Sequence, residues 1–254
     1  MPTKRIDRET RRRIARMEAR RVLAAAQVRR RRRDNLFAGL AGVLALVLAV
    51  ALQAFWFSND PAPDDLALIR DQQERDARTA AGVPDPDTAR GRVFTGTLDL
   101  NVGELGVELD GNAAPQAVAV FKQLADDGTL AGRSCHRLTA TPDMGVLQCG
   151  SEDGKGGGDP DFQWGPIENA PADGVYPAGT IAVARGGTPD SHGTQFFITY
   201  KESRITQDGG GYTIMGKVTS GLDVLESVAA GGIEADQQDG RPKTAVAIDS
   251  FTLN

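Results

Sequence analysis

Apolar and polar residues alternate in three different ways along this chain. Residues 36–57, LFAGLAGVLALVLAVALQAFWF, are apolar almost without interruption; they carry no charge, and Gln53 is the one strongly polar side chain. A helix of that length spans about 33 Å, close to the ~30 Å hydrocarbon core of a bilayer. Phe55, Trp56 and Phe57 end the run, where aromatic rings favour a membrane interface. The run predicts a single transmembrane helix. Residues 58–92 are polar and punctuated by Pro61, Pro63, Pro84 and Pro86. Between these prolines, DDLALIRDQQERDARTAAG predicts a short polar helix with Asp64 as its cap. It has too few apolar positions for a core, so 58–92 reads as a stalk.

From residue 93 the period shortens. TGTLDLN and GELGVELDG predict a hairpin, and PQAVAVFKQLADDGTL predicts a helix, with proline in its first turn and Val118, Phe121 and Leu124 on one face. CHRLT, GVLQCG, GTIAVAR, TQFFITY and YTIMGKV read as strands. GLDVLESVAAGG is a second amphipathic helix stopped by Gly231 and Gly232, and AVAIDSFTLN is a last strand. About eight short strands with two helices predict one mainly β domain, a closed barrel or a sandwich.

Charge changes this picture at one end. Residues 1–33 hold 14 Lys and Arg against Asp7, Glu9 and Glu18, a local net of +11, so the rest of the chain carries −16 of the total −5. Residues 8–28 are rich in Ala, Arg, Glu and Leu, a composition that favours helix. Lys and Arg resist translocation, so residues 1–35 are expected as a cytoplasmic tail and the region after Ser58 as extracytoplasmic, on a single-pass plasma-membrane protein. The apolar region of a signal peptide is shorter and precedes a small-x-small site, which is not evident here. Arg29–Arg33 could contact nucleic acid, but beside an apolar span they are better explained by topology and anionic lipid head groups; no nucleic-acid partner is expected.

The candidate chemistry lies in five segments of residues 93–254: HR at His136-Arg137, VLQCG, AVAR, GTQFFI and MGKV. In this order and spacing they resemble the cyclophilin family of peptidyl-prolyl cis-trans isomerases. The resemblance implies an eight-stranded antiparallel closed barrel capped by two α-helices. It implies that Arg137 is the catalytic donor to the proline imide, and that Gln148 orients substrate and arginine. Gln195 would contact substrate backbone, Phe197 would floor the proline pocket, and Val146, Ala184, Ile205 and Tyr212 would line the groove. Phe196 should then face the barrel core, by strand alternation. The reaction needs neither metal nor cofactor, and the partners implied are proline-containing peptides and exported proteins.

The chain departs from the family pattern at several places. Gly145 and Val146 stand where the family has Phe-Met, which predicts a pocket wall lacking an aromatic ring, with Met144 available to fill it. Arg204 and Ile205 stand near the usual Trp-Leu, and Arg185 replaces an asparagine. An alternative is therefore a weak or inactive module that binds proline-containing segments; a third reading is a structural part of an envelope assembly. EDGKGGGDP lacks the ending of a phosphate loop. The two histidines, His136 and His192, are too few for a metal site; His136 reads as a packed strand residue and His192 as a loop residue near the groove. Cys135 and Cys149 flank a predicted hairpin, where both a disulfide and two free buried thiols remain open.

Overall fold

The computed structural model describes residues 3–59, 66, 68, 70–73, 81–206 and 209–254, in two compact units, Met1–Leu68 and Ile69–Asn254. In the first unit α1 runs unbroken from Thr3 to Asn59. The basic segment and the apolar run thus share one helix, since neither Pro nor Gly interrupts the chain between them. Arg29–Gln53 is long and apolar enough to cross a membrane, by length and composition. Its large side chains, among them Leu40, Leu46 and Leu52, are exposed. Most of the stalk helix expected within 58–92 lies outside the described residues, as do Met1, Pro2, Gln207 and Asp208.

The second unit takes in residues ahead of Arg92. Val83 and Ala89 are buried in its core, and a short 3-10 turn, Pro86–Thr88, lies between them. Its strands are β1 (Val93–Leu100), β2 (Gly103–Asp110), β3 (Arg137–Thr141), β4 (Met144–Cys149), β5 (Val175–Tyr176), β6 (Thr180–Arg185), β7 (His192–Thr199), β8 (Ser203–Arg204), β9 (Ile214–Ser220), β10 (Asp239–Gly240) and β11 (Ile248–Leu253). Nine of them form one antiparallel sheet in the order β10-β3-β4-β7-β6-β9-β2-β1-β11, and β5 pairs with β8 apart from it.

The expected eight-stranded closed barrel is therefore corrected to a nine-stranded curled sheet that stays open between β10 and β11. Among the described residues, the isolated bridge Ser134 to Ala247 and backbone bonds of Gly132, Arg133 and Cys135 with Val246 and Ile248 cross the seam, short of a continuous ladder between the two end strands. The reason is local: β10 has two residues, and the chain that follows contains Pro242, which has no N–H to give a ladder.

The expected helices form: α2 over Pro115–Asp126 and α3 over Leu222–Gly231. Val118, Phe121 and Leu124 of α2 and Leu225 and Val228 of α3 enter the core with Phe94, Leu105, Leu138, Leu147, Phe196 and Ile198. Ala114 cannot cap α2 by side chain. Instead Glu168, some fifty residues away, accepts from the amides of Gln116 and Ala117, both at 3.0 Å. Burial pushes the Glu168 carboxyl above its ordinary range. Gly221 opens α3 at φ 81°, and a Cβ there would run into the Glu104 carbonyl.

Candidate functional site

Strand alternation divides β7 between two regions. Phe196 joins the main core and meets Phe121 edge to face, with ring centroids 5.6 Å apart. Its neighbour Phe197 points the other way, into a small second cluster with Val146, Tyr176 and Ala182. Around Phe197 lies a cavity of about 120 Å³, walled by Met144, Val146, Ala184, Ile205 and Tyr212 and edged by Arg137, Gln148 and Arg185. Phe197 and Tyr212 meet edge to face at 5.3 Å, and Tyr176 stands behind both. The Tyr176 hydroxyl accepts from the Tyr212 amide at 2.9 Å, which fixes the backbone of the wall. Burial pushes the Tyr212 phenol above its ordinary range, so it stays protonated at neutral pH.

Gly145 does not form this wall. Met144, Val146 and Gln148 share the groove face of β4, and Gly145 lies on the opposite face. A Cβ at Gly145 would come within 2.6 Å of Lys201 Cγ and 2.7 Å of Tyr200 Cζ. Tyr200 is itself held by donating to the Thr139 carbonyl at 2.7 Å. The expected gap in the pocket is thus corrected: the glycine makes room for Tyr200 and Lys201, and Met144 and Val146 line the cavity.

The polar side of the cavity is one connected chain. Register pairs Arg137 of β3 with Gln148 of β4, and Gln148 with Phe197 of β7. Arg137 Nη1 donates to Gln148 Oε1 at 3.3 Å, and Gln148 Nε2 donates to Gln195 Oε1 at 3.0 Å. Gln195 Nε2 donates in turn to the carbonyls of Gly156 and Gly157, at 3.1 and 2.9 Å. The glycine-rich loop therefore anchors a side chain through its carbonyls, a use quite unlike phosphate binding. Asp153 shapes that loop by accepting from the amides of Lys155 and Gly157. Both Gln195 amide hydrogens are thus committed, and the remaining capacity of this side chain is that of an acceptor.

At its other end the chain reaches a residue that sequence reading missed. Asp239 of β10 accepts from Arg137 Nε at 2.7 Å and from Nη2 at 2.6 Å. Hydrogen bonding to Asp239 raises the Arg137 pKa, and the same bond lowers that of Asp239. No local signal marks Asp239; it lies 102 positions from Arg137, in a two-residue strand within a polar stretch.

A larger cavity of about 330 Å³ adjoins the first and shares Gln148, Ala184 and Arg185 with it. Gln195, Asp159 and Ser191 are among its walls. Arg185 lies over the Tyr212 ring at 5.6 Å and donates through Nε to the Gly211 carbonyl at 2.7 Å. His192 opens β7 instead of lying in a loop. It is fully buried, stacked on Trp164 at 4.6 Å, with Nδ1 3.1 Å from the Trp164 carbonyl. Burial lowers its pKa to about 4. His136 is also buried, just ahead of β3. Among the described residues no group of three or more His, Cys, Asp or Glu is placed to hold a metal. Cys135 and Cys149 are joined, with sulfurs 1.96 Å apart, one residue from Gln148 and two from Arg137.

The family described as cyclophilin type peptidyl-prolyl cis-trans isomerase/CLD matches residues 95–253. A protein of Mycobacterium tuberculosis named probable peptidyl-prolyl cis-trans isomerase B is 35% identical over 171 residues, which are 62% of this chain and 54% of that protein. A Brucella suis probable peptidyl-prolyl cis-trans isomerase is 31% identical over 167 residues, 61% of this chain and 80% of that protein. The chain thus spans about half the length of the mycobacterial relative. Among solved structures, a Cryptosporidium parvum cyclophilin type isomerase, crystallised in the presence of the dipeptide Ala-Pro, has a TM-score of 0.52 at 23% identity. It covers 64% of this chain and 99% of its own, which supports the fold.

Proposed function

From the premise that this chain belongs to the cyclophilin type peptidyl-prolyl cis-trans isomerase family, we propose that it catalyses cis–trans isomerisation of peptide bonds preceding proline. The observation that carries this reading is an oriented guanidinium facing an aromatic-floored apolar cavity. Arg137 is held on one edge by Asp239 and tied to Gln148, beside the pocket of Phe197, Val146, Ile205 and Tyr212.

The chemistry asks for this arrangement and little more. Rotation about an Xaa-Pro bond has a barrier near 20 kcal/mol, because the amide loses its resonance on twisting. No bond is made or broken. In the twisted state the imide nitrogen recovers its lone pair, and a fixed donor stabilises that state more than the planar ones. Only such differential binding raises the rate. In this reading the proline ring seats on Phe197, and Arg137 donates toward the imide nitrogen. Gln148 holds the guanidinium in plane, and Gln195 holds Gln148. The segments flanking the proline pass Ala184 toward the larger cavity. Rotation requires neither metal nor cofactor.

The full reading adds a place. The apolar run 36–57 follows the strongly basic segment 1–33, which supports a cytoplasmic amino terminus and an isomerase domain on the outer face of the plasma membrane. The Cys135–Cys149 disulfide suits that oxidising side. Exported proteins with exposed proline segments would be its clients, and residues 1–35 would meet anionic lipid. One ground for the binding-only alternative, the aromatic ring missing at Gly145, loses weight because Gly145 lies off the groove face.

Exchange NMR on an Ala-Pro-Phe peptide with the full chain in detergent micelles tests the reading. Accelerated exchange is expected, reduced roughly 10²- to 10³-fold in Arg137→Ala, as when one preorganised donor is removed elsewhere. Peptide binding without acceleration would leave a recognition module.

A further inference from the structure

We infer that Asp239 is a positioning residue for the isomerisation, acting through Arg137; this rests on the isomerase reading above. The two-residue strand β10 pairs with β3, Asp239 opposite Thr139 and Gly240 opposite Leu138. That pairing sets the carboxylate against the side edge of the guanidinium, where Oδ1 takes the Nε hydrogen and Oδ2 one from Nη2. Thr139 Oγ1 adds a longer bond to Oδ1, 3.3 Å. A guanidinium has five N–H donors. Asp239 takes two and Gln148 one, so two remain for the substrate.

Stability alone gives this pair little reason to exist. Its side chains are 41% and 44% exposed, and ion pairs so open to water add little to folding. Orientation is different. Arginine is a long, rotamer-rich side chain with a planar head, and a bidentate carboxylate fixes both the position and the plane of that head. Isomerisation draws its rate from a donor already in place when the imide twists, so a donor that must first be ordered loses part of its effect. Gln148 constrains one nitrogen through a single 3.3 Å bond. Asp239 supplies the second fixed edge, without which the head can swing about that bond.

The test measures kcat and KM by peptide exchange with the full chain in micelles, for Asp239→Ala, Asp239→Asn, Asp239→Glu, Arg137→Ala and the double Arg137→Ala/Asp239→Ala. Asp239→Ala is expected to lower kcat roughly 10- to 100-fold with KM within about two-fold, as misplacement of a reacting group does. Asp239→Asn keeps the size of the side chain but turns an NH2 toward one of the arginine donors, so it should fall too. Asp239→Glu should recover part of the rate. In the Arg137→Ala background, loss of Asp239 should have no further effect. An unchanged kcat in Asp239→Ala and Asp239→Asn, with the unaltered chain active and Arg137→Ala inactive, would overturn this inference alone. So would an equal drop in the Arg137→Ala background. An unaltered chain that does not accelerate exchange removes the isomerase reading and this inference with it.

Discussion

Phe196 and Phe197 are neighbours in sequence and belong to different parts of the molecule. Phe196 is packed in a core shared by both domain helices and most strands. Phe197 belongs to a cluster of four buried residues on the other side of the sheet, rimmed by a polar chain from Asp239 to the glycine-rich loop. The core is apolar and tightly interlocked. The groove combines one aromatic floor with charges that stay half in water. Stability and function are thus separated across the thickness of one sheet, and a single strand serves both by turning alternate side chains each way.

The largest expected effect breaks the two regions apart by one residue. Phe196→Ala should destabilise the domain by about 3–5 kcal/mol while the folded fraction keeps its turnover. Phe197→Ala also removes a buried ring and costs stability, but it alone should in addition lower kcat/KM of the folded fraction, roughly 10- to 100-fold, because the proline ring loses its floor. Urea unfolding and peptide exchange on the same samples measure both; equal loss of turnover in the two variants would erase the division.

Acid sharpens the comparison. His192 is neutral in the folded state, with a pKa of about 4, and near 6.5 when unfolded. A depressed histidine makes the unfolded chain bind more protons between those values. Stability is then full above pH 6.5 and falls as pH drops toward 4, by about 3 kcal/mol. His136, lowered mainly by burial, acts in the same direction. Glu168, raised by burial, opposes them near the lower end of the window. The Asp239 carboxyl is held below its ordinary range, so the Arg137 clamp outlasts this loss. At pH 5 the urea midpoint should have fallen while kcat has not. A midpoint constant between pH 7 and 5 would show that burial of His192 has no such cost.

The smallest effect concerns Gly145. Gly145→Phe should destabilise by about 1–3 kcal/mol, because the ring must displace Tyr200 and Lys201. It should bring no gain in kcat/KM. Higher activity in this variant would put Gly145 back on the groove face.

Much of this was legible in the chain. Short-range periods marked both domain helices, most of the long strands and the apolar run, and residue-type order over 93–254 carried the family resemblance. Alternation separated Phe196 from Phe197. The same rule places Gly145 away from Val146, yet the comparison with the family's Phe-Met obscured it. His192 looked like loop because glycines and a proline surround it; its strand forms by pairing with Arg185, a contact that no local pattern announces.

What the sequence by itself determined about this protein is therefore whatever depends on neighbours a few residues apart: the length of the apolar helix, the phase of α2 and α3, and the face that each strand residue takes. Tertiary structure decided the rest. It set Asp239 against Arg137, sent Glu168 to cap α2, filled the space beside Gly145 with Tyr200, and left the sheet open at β10. Each of these depends on groups that meet only after the chain has curled, such as Glu168 and Gln116, 52 positions apart, or Asp239 and Arg137, 102 apart. A hydrogen bond depends on distances of a few tenths of an ångström, which helical and strand periods do not encode.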